Sequence, residues 1–109
     1  MPHLRVRGLP PAQVQELSSG LCEELALIIN TSADNFTVEL IATQYFGNGQ
    51  SNNSYPFIEV LWFQRPQDVK QRVAEHLTER VKRLLPSADV VVVFHVLEKT
   101  DYFENGKHF

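Results

Sequence analysis

Hydrophobic and polar positions divide the first third of the chain into a strand and a helix. Residues 2–7 alternate, with Leu4 and Val6 on one face and polar side chains on the other. A period of two is typical of a strand that covers a core on one side. Apolar residues then recur at three- and four-residue spacing: Val14, Leu17, Leu21, Leu25 and Ile28. This spacing predicts one amphipathic helix over residues 11–30, slightly weakened in its middle by Gly20.

The same two patterns return after a polar turn. Residues 36–46 are rich in β-branched and aromatic side chains and predict a second strand. Residues 47–55 show no apolar periodicity, and we expect them to form a mobile loop. Residues 56–63 predict a third strand. A second helix is predicted by the apolar stripe that follows, at Val69, Val73, Leu77, Val81 and Leu84.

Two further segments complete the chain. Residues 90–97 are an almost continuous apolar run, which predicts a strand buried on both faces. The tail, residues 102–109, contains Asn105-Gly106 between short extended pieces. Because Asn-Gly provides the two positive φ angles of a tight turn, we expect the tail to form a hairpin.

The two halves of the chain resemble each other. Ser32-Ala33-Asp34 recurs as Ser87-Ala88-Asp89, each time just before a predicted strand. We interpret residues 1–46 and 56–97 as pseudo-repeats of one β-α-β unit, in which the crossover is right-handed and the strands are parallel. The prediction is a single α+β domain over residues 1–109. Its duplicated β-α-β chain forms a four-stranded mixed sheet with two helices on one face.

Composition narrows the expected partners. The chain has 109 residues, a net charge of −3 and a pI near 5.7, which argue against nucleic acid or an anionic membrane as partner. We expect neither a secretory signal nor a membrane span, because the N-terminus turns polar at Arg5 and Arg7 and no apolar run approaches roughly 18 residues. The single cysteine, Cys22, cannot form an internal disulfide, which fits a reducing cytoplasm. Scattered histidines and the lack of phosphate or dinucleotide motifs predict no metal or cofactor.

The chemistry begins at Met1-Pro2. Cells normally remove a methionine that precedes so small a residue, which would leave Pro2 as a free secondary amine at the head of a strand. Free α-amino groups titrate at about 7.7–8.0, and burial lowers that value. Such an amine suits general base catalysis near neutral pH. The alternative is that proline follows Met1 by composition alone.

A duplicated β-α-β chain that opens with Met1-Pro2-His3 and closes with a hairpin and Phe109 resembles the tautomerase superfamily. Relatives of that kind include macrophage migration inhibitory factor and 5-carboxymethyl-2-hydroxymuconate isomerase. Residues 43–46 (Thr-Gln-Tyr-Phe) and 59–63 (Glu-Val-Leu-Trp-Phe) are similar to an uncharacterised bacterial subgroup, a domain of unknown function. The resemblance implies a homotrimer that needs no cofactor, with Pro2 as base or acid in keto–enol chemistry.

The resemblance does not extend to the binding residues of the family. Pro10-Pro11 stands where the family carries an arginine after its first strand, and Glu39 stands where it carries another in the second strand. The substrate class is therefore not carried over from the relatives.

The predicted topology brings Pro2 to one end of the third strand. Strands one and three lie side by side and antiparallel, which places Pro2 beside Phe63-Gln64-Arg65. Arg65 either holds a substrate carboxylate bidentately or is a solvated residue before the helix. Phe36 matches an aromatic of the family pocket and either lines that pocket or packs in the core. The candidates are Pro2 for catalysis and Arg65, Gln64, Phe36 and Phe63 for substrate binding.

The sheet face away from the helices mixes apolar groups with charges: Arg5, Arg7, Glu39, Glu59 and His95. An exposed face of this kind usually marks an interface, and charges buried there must pair. We interpret it as the interior ion-pair network of a homotrimer. Glu39 is also the candidate for a second acid or base.

The resemblance, together with Pro2 and Arg65, implies an isomerase that transfers a proton next to the carbonyl of a small, carboxylate-bearing compound, with Pro2 as the base. Two alternatives stay open. One is a non-catalytic trimer that retains the fold as a binding or structural protein. The other is a hydratase or dehalogenase in which a protonated Pro2 acts beside Glu39.

Overall fold

The computed structural model describes residues 1–109 and contains a four-stranded mixed sheet. In chain order the strands are β1 (His3–Arg7), β2 (Thr37–Leu40), β3 (Tyr45–Gly47), β4 (Gln50–Asn52), β5 (Phe57–Phe63), β6 (Val91–Leu97), β7 (Phe103–Glu104) and β8 (Lys107–His108). The main sheet has the order β2-β1-β5-β6, with β1 parallel to β2 and β5 parallel to β6. Antiparallel β1 and β5 join the two pairs. The predicted duplicated β-α-β architecture is confirmed.

The core lies between this sheet and three helices: α1 (Pro11–Ser18), α2 (Leu21–Ile29) and α3 (Gln67–Leu84). The sheet contributes alternate residues, among them Leu4, Val60 and Trp62, which are almost completely buried. No helix is both long enough and apolar enough to cross a membrane.

The prediction of one continuous helix over residues 11–30 is wrong. The helix breaks between Ser18 and Leu21, where Gly20 adopts a φ of +73°. Glycine takes this left-handed conformation without the steric cost that other residues meet. The apolar spacing continues across the break because α1 and α2 both turn their buried faces to the same core, so periodicity alone does not reveal it.

A buried arginine stabilises the break. Arg80 of α3, 8% exposed, donates hydrogen bonds to the carbonyl oxygens of Leu17 and Ser19, each at 2.8 Å. It also donates to Glu24 at 2.6 Å, and His76 lies 2.5 Å from the same carboxylate oxygen. The hydrogen bonds from Arg80 and then His76 lower the pKa of Glu24. This network satisfies carbonyls that the end of α1 leaves without helical partners.

The segment after β2 also differs from the prediction. The second strand ends at Leu40 rather than continuing to residue 46. A hairpin of β3 and β4 covers the end of that predicted strand and the start of the predicted loop over residues 47–55. Asn48 and Gly49 form its turn with φ angles of 52° and 73°. Asn-Gly at residues 105–106 correctly predicted the β7–β8 hairpin, and the same dipeptide forms the turn of the β3–β4 hairpin.

Strand β6 lies at the edge of the sheet, so the prediction that it is buried on both faces is wrong for the single chain. Val92 and Phe94 pack against the core, whereas His95 and Val96 are exposed. In the single chain, no strand pairs with the free edge of β6, and no helix or strand packs on its outer face.

Candidate active site

The antiparallel pairing of β1 with β5 brings the start of the chain to the end of β5. The register pairs His3 with Leu61, and its continuation places Pro2 opposite Trp62. The Pro2 side chain is almost completely buried on the helix side of the sheet. The head of β1 therefore lies beside the end of β5, and the predicted role of Pro2 at this point stays a prediction.

A cleft of about 680 Å³ opens beside this end of β1. Met1 and His3 lie on one side of it, and Phe63 and Arg65 lie on the other. The segment after β6 folds back and lines the cleft with a further set of residues: Lys99, Tyr102, Glu104 and Phe109. Residues from both ends and from the middle of the chain therefore meet at one site.

Three aromatic rings form one wall of the cleft. Phe63 packs edge-on against Tyr102, with ring centroids 5.5 Å apart, and lies 5.6 Å from Phe109. Tyr102 and Phe109 are themselves 5.0 Å apart in an edge-on arrangement. Such packing contributes beyond area burial and gives the cleft an apolar surface that is built largely by the tail.

Two cations without carboxylate partners flank this wall. Arg65 donates to the carbonyl oxygens of Phe63 and Gln64 at 3.3 and 3.2 Å, and neither Arg65 nor Lys99 forms an ion pair. The Lys99 Nζ lies 5.8 Å from the centroid of the Phe63 ring. The lining of the cleft therefore holds these two cations together with the carboxylates of Asp34 and Glu104, and a guanidinium can bind a substrate carboxylate through two parallel hydrogen bonds.

The amine at the head of β1 lies in a partly dehydrated position. The Met1 amino group donates to the Asn35 carbonyl oxygen at 2.7 Å. Burial lowers the pKa of this amine, Glu104 raises it, and the nearby Arg65 cation lowers it further. The net direction is downward, so this end of the cleft favours an uncharged amine.

His3 connects the cleft to the outer face of the sheet. Its Nδ1 lies 2.5 Å from the Thr37 hydroxyl oxygen, and its Nε2 lies 3.1 Å from Glu39 Oε1. Thr37 lines the cleft with His3, whereas Glu39 lies outside it. Arg5 Nε is 3.5 Å from the same Glu39 oxygen.

The arginines and glutamates on the outer face form ion pairs with each other, as their opposite charges predicted. Besides the contact between Arg5 and Glu39, Glu59 binds Arg7 and lies 2.7 Å from His95. The Glu59 side chain is 13% exposed, whereas that of Glu39 is 49% exposed. Glu59 is therefore the member of the network that most needs its partners in the single chain.

The predicted site residues separate into two groups. Phe63 and Arg65 line the cleft with Met1 and His3, whereas the buried Pro2 side chain does not line it. Phe36 packs in the core at 8% exposure, and the exposed Gln64 does not line the cleft. Sequence reasoning missed Lys99 and Tyr102, because their position depends on how the tail folds back. It also missed Thr37, although a parallel pairing of β1 with β2 places it beside His3.

Comparison with known proteins gives a family and a fold. A family model described as Domain of unknown function (DUF1904) matches residues 1–108. The crystal structure of a DUF1904 domain from Sebaldella termitidis is similar, with 39% identity, 100% of each chain covered and a TM-score of 0.95. No curated protein matches the chain.

Two more distant structures extend the likeness. A fused 4-OT, described as an asymmetric trimer, is 20% identical and has a TM-score of 0.82, with 98% of this chain and 95% of that chain covered. Macrophage migration inhibitory factor from Toxoplasma gondii is 16% identical and has a TM-score of 0.76, with 99% and 100% covered. At such identities the likeness shows the fold alone. The predicted tautomerase-like fold is confirmed.

Proposed function

The chain belongs to the DUF1904 family, and from that premise we propose that it is a tautomerase-like isomerase whose Pro2 amine transfers a proton in keto–enol chemistry. The proposed substrate is a small carbonyl compound that carries a carboxylate. The observation that carries this proposal is a cleft lined by Met1 and His3, the two neighbours of Pro2, with an aromatic wall and two cations free of ion pairs, Arg65 and Lys99.

The proposal requires that Met1 be removed. The Pro2 nitrogen then becomes a secondary amine at the head of β1, one residue further in than the Met1 amine, and the burial that lowers the pKa of Met1 acts on it in the same direction. A neutral amine can take a proton from the carbon next to a carbonyl. Arg65 binds the substrate carboxylate and orients that carbon towards Pro2.

We also propose that the protein is a homotrimer. The fused 4-OT that shares its fold is described as a trimer. The outer sheet face carries paired charges among apolar groups, and the tail exposes Phe103 and Phe109 by 60% and 52%. Assembly through the outer face would cover both features.

Alkylation of Pro2 by 3-bromopyruvate tests the proposed function. The neutral amine attacks C3, a nitrogen–carbon bond forms, bromide leaves, and the amine proton passes to buffer. We expect an adduct on Pro2 and labelling about tenfold slower for Arg65→Ala, because a charge-assisted hydrogen bond is worth about 1.5–3 kcal/mol. The readout is intact mass over time, followed by peptide mapping.

The matched control is Arg72→Ala, which removes an exposed arginine of α3 outside the cleft and should label at the parent rate. A free Pro2 that stays unlabelled while Cys22 reacts contradicts the enzyme proposal and favours the non-catalytic trimer. Retention of Met1 in the mature protein contradicts it too, since an amide nitrogen is neither basic nor nucleophilic.

A further inference from the structure

Three polar side chains form a continuous hydrogen-bonded row on the outer sheet face, which begins in the cleft and ends outside it. The Thr37 hydroxyl lies 2.5 Å from His3 Nδ1, and the other ring nitrogen, Nε2, lies 3.1 Å from Glu39. Thr37 and His3 both line the cleft. A hydroxyl, an imidazole and a carboxylate in this order have the components of a proton relay.

The strand register fixes this row. β1 and β2 are parallel, with His3 paired to Thr37 and Arg5 paired to Glu39. Since side chains alternate along a strand, these four residues share the outer face. The Thr37 N–H donates to the Pro2 carbonyl oxygen at 3.2 Å, which holds the start of β2 against the head of β1.

The carboxylate determines which nitrogen of the ring carries a proton. An ionised carboxylate only accepts hydrogen bonds, so His3 Nε2 must be the donor to Glu39. In the neutral ring, Nδ1 is then the acceptor of the Thr37 hydroxyl proton. In the protonated ring, Nδ1 becomes a donor to Thr37, and the Thr37 hydroxyl is free to donate into the cleft. Arg5, at 3.5 Å, also holds the Glu39 carboxylate in place.

We infer that Thr37, His3 and Glu39 form the proton relay that serves as the acid partner of Pro2. The inference rests on the proposed tautomerase function and names a second group for the same reaction. Thr37 touches the substrate oxygen. His3 supplies the proton through Thr37, and Glu39 positions His3. This arrangement places Glu39 behind the cleft rather than in contact with substrate.

Every proton is accounted for in the half-reaction that converts the keto form of the substrate to the enol. Pro2 takes a proton from the substrate carbon, the carbon–hydrogen bond breaks and a carbon–carbon double bond forms. The carbonyl oxygen takes the Thr37 hydroxyl proton and becomes an enol, while Thr37 takes the Nδ1 proton of His3. Pro2 ends protonated and His3 ends neutral. The reverse reaction, or exchange with water, restores both groups.

The test uses pyruvate in deuterated water, with proton NMR following the loss of its C3 protons. Exchange through an enol needs a base and an acid, whereas alkylation of Pro2 by 3-bromopyruvate needs no proton on oxygen. Thr37→Val should slow exchange about 100-fold, which is the lower end of the rate enhancement that a positioned acid or base contributes. The rate of Pro2 labelling by 3-bromopyruvate should stay within about twofold of the parent rate. Thr37→Ser should restore most of the exchange. Thr43→Val is the control, since Thr43 lies outside the cleft.

A second measurement does not depend on turnover. Nitrogen NMR of the His3 ring at alkaline pH should show the proton on Nε2 in the parent, and Glu39→Ala should lose this preference. If the neutral His3 ring of the parent carries its proton on Nδ1, the relay is overturned. It is also overturned if the Thr37→Val variant exchanges pyruvate protons at the parent rate. A parent protein that neither labels nor exchanges overturns the proposed function together with the relay. A parent that does both, with Thr37→Val unchanged, overturns the relay alone.

Discussion

One extra residue in front of Pro2 should abolish exchange of the pyruvate C3 protons, a loss of about 10⁴-fold that takes the rate to the uncatalysed background. An additional residue turns the Pro2 nitrogen into an amide, which has no lone pair available for a proton. The fold should be unaffected, because the structure carries Met1 in this position with its amine bonded to Asn35. The loss is therefore chemical rather than structural.

The control for this experiment is the same extended protein after a protease has removed the extension and exposed Pro2. Exchange should return, and the thermal unfolding temperatures of the two forms should be nearly equal. Equal exchange by the extended and trimmed forms is the outcome that excludes Pro2 as the base. Intact mass measurement of the trimmed form must show that Met1 is absent and that Pro2 is the N-terminal residue.

Gly8→Ala should destabilise the protein by about 3–5 kcal/mol, through backbone strain and overpacking together. Gly8 follows β1 and adopts a φ of +86°, in the region where a side chain is strained. An added Cβ would also overlap the backbone carbonyl oxygen of Tyr55, which cannot move away as a flexible side chain could. Denaturant unfolding measures the loss.

Gly49→Ala is the matched control for Gly8. Gly49 has a φ of +73°, but an added Cβ there meets no atom within 4 Å. Only backbone strain remains, so we expect a loss of about 1–2 kcal/mol. Equal losses at the two positions are inconsistent with the close packing of Gly8 against Tyr55.

Most of the fold could be predicted because the repeat constrains topology strongly. A β-α-β unit is right-handed, so two copies joined by a loop leave few arrangements of the sheet. The errors arose where a local conformation overrides a periodic pattern. Gly20 breaks a helix whose apolar spacing continues, and Asn48-Gly49 turns a segment without apolar periodicity into a hairpin. Both signals were present in the sequence as residues that adopt positive φ.

The candidate site was predictable only where strand register determines it. The antiparallel pairing of β1 with β5 brings Arg65 and Phe63 to the head of β1, and the sequence sufficed for that. Lys99 and Tyr102 reach the cleft through packing of the tail against Phe63, which no sequence periodicity describes. The Phe36 ring packs in the core because its position just before β2 turns it towards the helices.

The central claim is that Pro2 is an uncharged amine at neutral pH, and titration of its nitrogen by NMR measures this most directly. We predict a Pro2 pKa below neutrality, and so below the about 7.7–8.0 of an ordinary α-amino group, because burial and the Arg65 cation together outweigh Glu104, which raises the pKa of an amine at this end of the cleft. In Thr37→Val, which lacks the relay, exchange of pyruvate protons should rise with pH through the same pKa and level off above it, since the neutral amine is the active form. A Pro2 amine that is still protonated at neutral pH, or exchange by this variant that falls as the amine loses its proton, contradicts the account.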